Sequence, residues 1–163
     1  MLYHLLKNTA AICFNLLNIL LRGNMPPLAC VCVIIEDNER YLVIQQQNGQ
    51  YVFPGGFMRW HEQPAHTAQR EAREETGLEL NMGNFAGYQI YNSTSLNKIS
   101  TINLIYDAQI AGGTLRASIE GQPYWLSKDD IPGKLSPIAR KIFDEYLAYH
   151  SQQGIQKDPF SDH

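Results

Sequence analysis

The stretch from residue 64 to residue 77 restricts the fold more than any other part of the sequence. It begins with Pro64, which suits the first turn of a helix, and it ends with Gly77, a common helix terminator. Small side chains recur on one stripe of this segment: Ala65, Ala68 and Ala72. Side chains of this size let a helix lie close against a sheet. The segment therefore predicts a helix at 64–76 that packs on strands.

Apolar and β-branched runs on both sides of this helix predict the strands of that sheet. Strands are expected at 28–35, 41–47, 51–53, 78–84, 87–92, 99–110 and 122–126, and a closing helix at 136–150. The chain has 163 residues, about the length of one domain. Strands that flank one internal helix and precede a second predict an α+β or α/β class, with layers of helix around a sheet.

The two ends of the chain differ from the middle in the structure that their sequence predicts. We expect an amphipathic helix and linker at 1–24, one domain at 25–150, and a polar, disordered tail at 151–163. The apolar positions of the first segment recur every three or four residues, interrupted by Asn15 and Asn18. The run is shorter than the roughly 20 residues that span a bilayer. We expect this helix to pack on its own domain or on a second subunit; a signal peptide and a membrane-surface helix are the alternatives.

Charge and cysteine content narrow the function classes. The net charge is -3 with no run of Lys or Arg, which disfavours a nucleic-acid polymer as partner. A small phosphorylated ligand remains possible, because it can bring its own divalent metal. Three cysteines argue against a disulfide framework. Cys30 and Cys32 point to the same face of a strand as small buried residues, and a second ligand pair for zinc is missing. A reducing, cytoplasmic setting is expected.

Three carboxylates cluster on the internal helix. Glu71, Glu74 and Glu75 lie three and four residues apart, so they share one face. At neighbour distances of about 5–6 Å, each like-charged pair costs on the order of 3 kcal/mol before screening. A bound divalent cation removes that cost, and oxygen ligands without His or Cys favour Mg²⁺ or Mn²⁺. The alternative is a solvated acidic face.

Arg70 precedes Glu74 by four residues, which is the weaker order for a helix ion pair. Its expected role is therefore to orient a carboxylate. The pair Gly55-Gly56 lets the backbone approach the start of the helix, where a carbonyl can add a metal ligand.

The stretch from residue 56 to residue 78 resembles the Nudix box, G-x5-E-x7-R-E-U-x-E-E-x-G-U, where U is aliphatic. The matching residues are Gly56, Glu62, Arg70, Glu71, Glu74, Glu75, Gly77 and Leu78. Ala72 is smaller than usual at the first U position. Residues 28–150 also have the length and element order of that fold, while the N-terminal helix lies outside it. The resemblance implies an αβα sandwich around a mixed sheet.

The resemblance further implies a hydrolase that cleaves a nucleoside diphosphate linked to another moiety, through water attack on phosphorus with Mg²⁺, or Mn²⁺ as a substitute. As metal ligands it implies Glu71, Glu74, Glu75 and the carbonyl of Gly56. Glu71 is implied as a ligand or as the base for the water, and Arg70 as the residue that holds a glutamate. Glu62 and Gly77 are implied to support the geometry of the box.

Residues around the box are further candidates. Arg59 is a candidate phosphate contact or a solvated loop residue, and Trp60 stacks on a base or packs locally. Tyr91 lines a substrate cleft or packs as an ordinary strand aromatic. Glu120, in the loop before the last strand, is a candidate late-loop base or an ordinary loop acid, so the base is either Glu71 or Glu120.

Substrate choice is less constrained. Runs typical of NADH and coenzyme A hydrolases are absent, and Ser93 and Thr94 stand where ADP-ribose enzymes tend to carry proline. A nucleoside triphosphate, as in the MutT-like branch, is therefore the default substrate. ADP-ribose or another sugar nucleotide is the alternative, as is a Nudix ligand sensor without hydrolysis. A homodimer remains possible.

Overall fold

The computed structural model describes the backbone of residues 2–156 and the side chains of residue 5 and residues 8–152. Four helices are α1 (Leu2–Leu20), α2 (Pro64–Thr76), α3 (Ile131–Lys134) and α4 (Pro137–Gln156). Seven strands are β1 (Leu28–Asp37), β2 (Arg40–Gln45), β3 (Tyr51–Val52), β4 (Gly55–Phe57), β5 (Leu78–Tyr91), β6 (Thr101–Gly113) and β7 (Gln122–Ser127). None of the helices in this described part is long and apolar enough to cross a membrane.

The strands form one mixed sheet around β1. Its order is β3-β2-β1-β6-β5, with β4 paired to β1 and β7 paired to β2. The β1–β6 pair is parallel and the β5–β6 pair is antiparallel. The short strand β4 runs antiparallel to the first half of β1, with Val31 opposite Gly56. This pairing places Gly56, the first residue of the box, next to the central strand.

Each face of the sheet carries one long helix. Val31, Val33 and Ile35 point to one face, where they pack against Ala68 and Ala72 of α2. The opposite face packs against α4, and its buried residues include Cys32, Ile34, Ile105, Ile142 and Phe143. The predicted αβα sandwich is confirmed, and the small alanine stripe lies at the helix–sheet contact as expected.

Several local predictions need correction. The two strands expected at 78–84 and 87–92 are one strand, β5, with register shifts in its middle. There, Asp107 accepts a hydrogen bond from the backbone N–H of Asn84 at 2.6 Å, so a side chain supplies the partner that the bulged backbone lacks. Strand β6 continues to Gly113, beyond the expected end at residue 110. The short helix α3 lies between the strand expected at 122–126 and the helix expected at 136–150, where no element was expected.

The ends of the chain also differ from expectation. Helix α4 continues to Gln156, so the first six residues of the expected tail at 151–163 are helical, and residues 157–163 lie outside the described part. Helix α1 forms as predicted, but the apolar side chains described near its C-terminal end do not pack on the domain: Leu16, Leu17 and Leu20 are exposed. The face turned to the domain carries buried Ala11 and the half-buried Asn15.

Candidate functional site

The box forms a short strand, a loop and the helix α2, and an arginine ties them together. Arg70 donates two hydrogen bonds to Glu62, from Nε to Oε1 at 2.7 Å and from Nη2 to Oε2 at 2.9 Å. Its Nη1 donates to Glu71 Oε1 at 2.6 Å, and its Nη2 reaches the carbonyl of Phe57 at 3.1 Å. The guanidinium therefore links the loop, β4 and the helix.

Glu62 closes the loop before α2. Besides Arg70, it accepts hydrogen bonds from the backbone N–H of Arg59 at 3.0 Å and from the hydroxyl of Thr67 at 2.8 Å. The hydrogen bonds from Arg70 are the largest cause that holds the pKa of Glu62 well below its usual range, and the same contact raises the pKa of Arg70. Both shifts favour the ionised forms, so Glu62 serves as a charged partner of the arginine.

The three clustered glutamates occupy three different environments. Glu71 is 16% exposed and pairs with Arg70 at 2.6 Å. Glu75 is buried, and its Oε2 accepts a hydrogen bond from the backbone N–H of Gly55 at 2.9 Å. Glu74 is half exposed and pairs with Arg59 at 3.2 Å and with Arg70 at 3.4 Å. The three glutamates on the face expected from the spacing therefore differ in solvent exposure, from the buried Glu75 to the half-exposed Glu74. Glu75 lies three and seven residues after Ala72 and Ala68, and this spacing already predicts its burial.

Gly56 is the point where the strand meets the helix. A Cβ on this residue would lie 2.5 Å from the carboxylate of Glu71, closer than real side chains approach. The missing side chain lets the Glu71 carboxylate lie against the backbone of β4. At the other end of α2, Gly77 adopts a left-handed conformation with φ 77°, and its N–H donates to the carbonyl of Arg73 at 3.0 Å.

The donor set suits a hard divalent cation, because it consists of carboxylates and a backbone carbonyl. Among the side chains that the structure describes, no three His, Cys, Asp or Glu residues converge as a cage for a metal ion, since the glutamates here face guanidinium and amide donors. The pair between Arg59 and Glu74 is exposed on both sides. Such pairs contribute about 0–1 kcal/mol, so the pairing of Glu74 with Arg59 would oppose the binding of a cation only weakly.

A cleft of about 630 Å³ opens beside the box on the α4 face of the sheet. Its walls come from β1, β6, the end of β5, the loop before β6 and the start of α4. The lining is Cys30, Gln46, Gln50, Val52, Tyr91, Lys98, Ile99, Thr101, Asn103, Ser136, Pro137 and Ile138. Pockets for small ligands span about 300–1,000 Å³, so the volume suits a nucleoside.

Two observations place this cleft next to the box. Cys30 in the cleft pairs in register with Phe57 of β4, one residue after Gly56. Burial, followed by the negative charge of Glu71, raises the pKa of Cys30 to about 12. The cleft therefore borders β4, the strand at which the box begins.

The other predicted site residues lie at the edges. Tyr91 is in the cleft wall, whereas Trp60 is 88% exposed and contacts the ring of His61. Glu120 is half-buried in the loop before β7, where its N–H donates to the hydroxyl of Ser118 at 3.1 Å.

The sequence analysis did not predict the polar residues that line the cleft. Thr101 and Asn103 point to one face at the start of β6, and Gln46 and Gln50 flank the tight turn before β3. The sequence contains a signal for this lining: Thr101, Asn103 and Ile105 lie two residues apart. In a strand this spacing places the two polar side chains on the same face as the apolar Ile105.

Comparisons with known proteins agree with this geometry. The family model described as NUDIX domain matches residues 25–146. The chain is 28% identical over 118 residues to a MutT-like protein of Streptomyces ambofaciens, covering 69% of this chain and 73% of that protein. It is 27% identical over 129 residues to an ADP-ribose pyrophosphatase of Methanocaldococcus jannaschii, covering 76% of this chain and 75% of that protein.

A solved structure gives the same picture of the fold. The MutT protein from Methanosarcina mazei Go1 superimposes with a TM-score of 0.67 at 22% identity, covering 78% of this chain and 97% of that one. The match of the family model covers most of the chain and includes the whole box. This chain is a member of the Nudix family and a hydrolase of phosphorus-containing anhydrides.

Proposed function

We propose that the protein hydrolyses a nucleoside triphosphate, as in the MutT-like branch, to a nucleoside monophosphate and pyrophosphate. The observation that carries this proposal is the polar cleft beside the box carboxylates. Its amide side chains, Gln46, Gln50 and Asn103, both donate and accept hydrogen bonds, as does the edge of a nucleobase. A base in this cleft leaves the phosphate chain to extend toward Glu71.

We propose Mg²⁺ as the cofactor, with Mn²⁺ as a substitute. Its ligands would be Glu71, Glu74, Glu75 and the carbonyl of Gly56, an oxygen-only set that suits either ion. A cation held there would neutralise charge on the phosphates and would make the attacking water more acidic.

The remaining work falls to side chains of this chain. A water oxygen forms a bond to phosphorus while the bridging P–O bond breaks, and the proton of the water passes to a carboxylate. Glu71 is the proposed base because it lies against β4 beside the cleft, with Glu120 as the alternative. Arg70 holds Glu71 in place at 2.6 Å. We propose substrate contacts for Arg59, Trp60 and Tyr91, and of these Tyr91 lines the cleft.

The name of one relative favours a second candidate. The relative from Methanocaldococcus jannaschii is described as an ADP-ribose pyrophosphatase, so ADP-ribose or another sugar nucleotide is the alternative substrate. A sensor without hydrolysis is disfavoured, because all four glutamates of the box are present. We propose a cytoplasmic enzyme that acts on small nucleotides and not on nucleic-acid polymers. A homodimer is a further possibility, and light scattering would measure it.

The test is a comparison of kcat/KM over a panel of ordinary and oxidised dNTPs, ADP-ribose, NADH, dinucleoside polyphosphates and sugar nucleotides, each with Mg²⁺ or Mn²⁺. The proposal predicts the highest value for a triphosphate, with monophosphate and pyrophosphate as products. Hydrolysis in ¹⁸O-labelled water identifies the attacked phosphorus. A higher value for ADP-ribose would replace the first candidate by the second. No turnover of any compound by protein that still binds metal would favour the sensor.

A further inference from the structure

Helix α1 lies outside the region that the family model matches. In the part of the helix whose side chains the structure describes, the side-chain hydrogen bonds to the domain involve asparagines. Asn15 Nδ2 donates to the backbone carbonyl of Leu96 at 2.7 Å and to that of Lys98 at 2.9 Å. One helical turn later, Asn18 Oδ1 accepts from the backbone N–H of Met25 at 3.0 Å. The asparagines that interrupt the apolar run are thus the residues that fix the helix to the domain.

Asn15 bonds to the loop that walls the cleft. This loop, residues 92–100, joins β5 to β6, and its Lys98 and Ile99 line the cleft. Lys98 is the one cationic residue of that lining. Leu96 is 51% exposed, so burial of apolar surface does little to hold the outer part of the loop. The two carbonyls that accept from Asn15 belong to Leu96 and Lys98, on either side of Asn97 in this loop.

We propose that Asn15 is a positioning residue for substrate binding, which acts by holding the loop in the shape that presents Lys98 and Ile99 to the cleft. The inference rests on the proposed function, since it assigns the cleft to the nucleotide. A loop ordered before binding spares the substrate the entropic cost of ordering it. Because the loop carries a wall of the cleft and none of the box glutamates, the effect belongs in KM and not in kcat.

The test replaces Asn15 by aspartate, which keeps the shape of the side chain but cannot donate to a carbonyl. Asn8→Asp is the matched control, because Asn8 is exposed on the same helix. Loss of two hydrogen bonds predicts a KM about three- to tenfold higher in Asn15→Asp, with kcat within about twofold of wild type. Faster amide hydrogen exchange is expected in residues 93–100 of Asn15→Asp alone. Asn15→Gln, which retains an amide donor, should recover part of the affinity.

The outcomes separate this inference from the proposed function. An active wild-type enzyme whose KM and loop exchange are unchanged in Asn15→Asp overturns the inference alone. A loss confined to kcat, or an equal change in Asn8→Asp, overturns it as well. A wild-type protein that turns over no nucleotide of the panel overturns the proposed function, and this inference falls with it. An unchanged melting temperature in Asn15→Asp confirms that the folded domain itself is intact.

Discussion

Replacement of Arg70 of α2 by glutamine should destabilise the domain, because this arginine is the ionic partner of two glutamates. The guanidinium makes a two-bond contact with Glu62 at 2.7 and 2.9 Å and a further bond with Glu71 at 2.6 Å. The three side chains are each 15–16% exposed. Removal of the guanidinium leaves the carboxylates of Glu62 and Glu71 largely shielded from water and without their ionic partner.

The magnitude follows from that degree of burial. Exposed ion pairs are worth about 0–1 kcal/mol, and breaking a fully buried pair costs about 3–5 kcal/mol. The network around Arg70 lies between these limits, so Arg70→Gln should cost about 2–3 kcal/mol. For a domain of this size, such a loss lowers Tm by about 4–12 °C. Arg70→Lys, which keeps the charge but not the planar fork, should cost about half as much.

The assay is urea unfolding at pH 7, followed by far-UV circular dichroism, with the m value required to stay constant. Arg40→Gln is the control, because Arg40 pairs with Asp37 at 3.7 Å with both side chains about half exposed; it should cost less than about 1 kcal/mol. A double-mutant cycle with Glu62→Gln should show coupling of about 1.5–3 kcal/mol. A loss below about 1 kcal/mol for Arg70→Gln, or coupling near zero, would refute the reasoning.

Three further predictions follow from the same geometry. The pKa of Glu62 is lowered in the folded chain from its ordinary value of 4.5, so its stabilisation is complete well above pH 4.5 and is lost as the pH falls below it; wild type should therefore show a decline of Tm between about pH 4.5 and 2.5 that Glu62→Gln flattens, and an equal decline in both proteins would contradict this. Gly56→Ala should leave Tm within a few degrees but lower kcat/KM by about 100-fold, because the new Cβ displaces the Glu71 carboxylate; equal activity would contradict the close approach. At pH 8, iodoacetamide should modify the exposed Cys13 within minutes and leave Cys30 unmodified in the folded protein, because the pKa of Cys30 is raised to about 12; mass spectrometry of peptides reads both, and fast labelling of Cys30 would be inconsistent with its burial.

The central helix and its chemistry could be predicted from the sequence because they depend on local rules. Pro64 and Gly77 set the ends of α2, and the alanine spacing identified the face that packs on the sheet. The box spacing then gave the family. The same periodicity predicts the burial of Glu75, although a carboxylate on the core side is understandable only once its partner, the N–H of Gly55, is known.

Other features depend on contacts between distant segments, which periodicity does not report. The apolar stripe of α1 does not identify the face that meets the domain, because Asn15 donates to two loop carbonyls more than 80 positions away in the sequence. The break expected within β5 is bridged by Asp107 of the neighbouring strand. The polar lining of the cleft likewise required the parallel register between Cys30 and Asn103.

The most direct test of the account is a Mg²⁺ titration of nucleoside triphosphate hydrolysis by wild type and by Glu74→Gln. Glu79→Gln is the control, since Glu79 is an exposed glutamate on β5 outside the cluster. The account predicts hydrolysis that requires the cation, is unchanged in Glu79→Gln, and in Glu74→Gln is reduced by at least 100-fold with a higher Mg²⁺ requirement. Turnover by Glu74→Gln at the wild-type rate and Mg²⁺ requirement would contradict the assignment of the box carboxylates as the metal site.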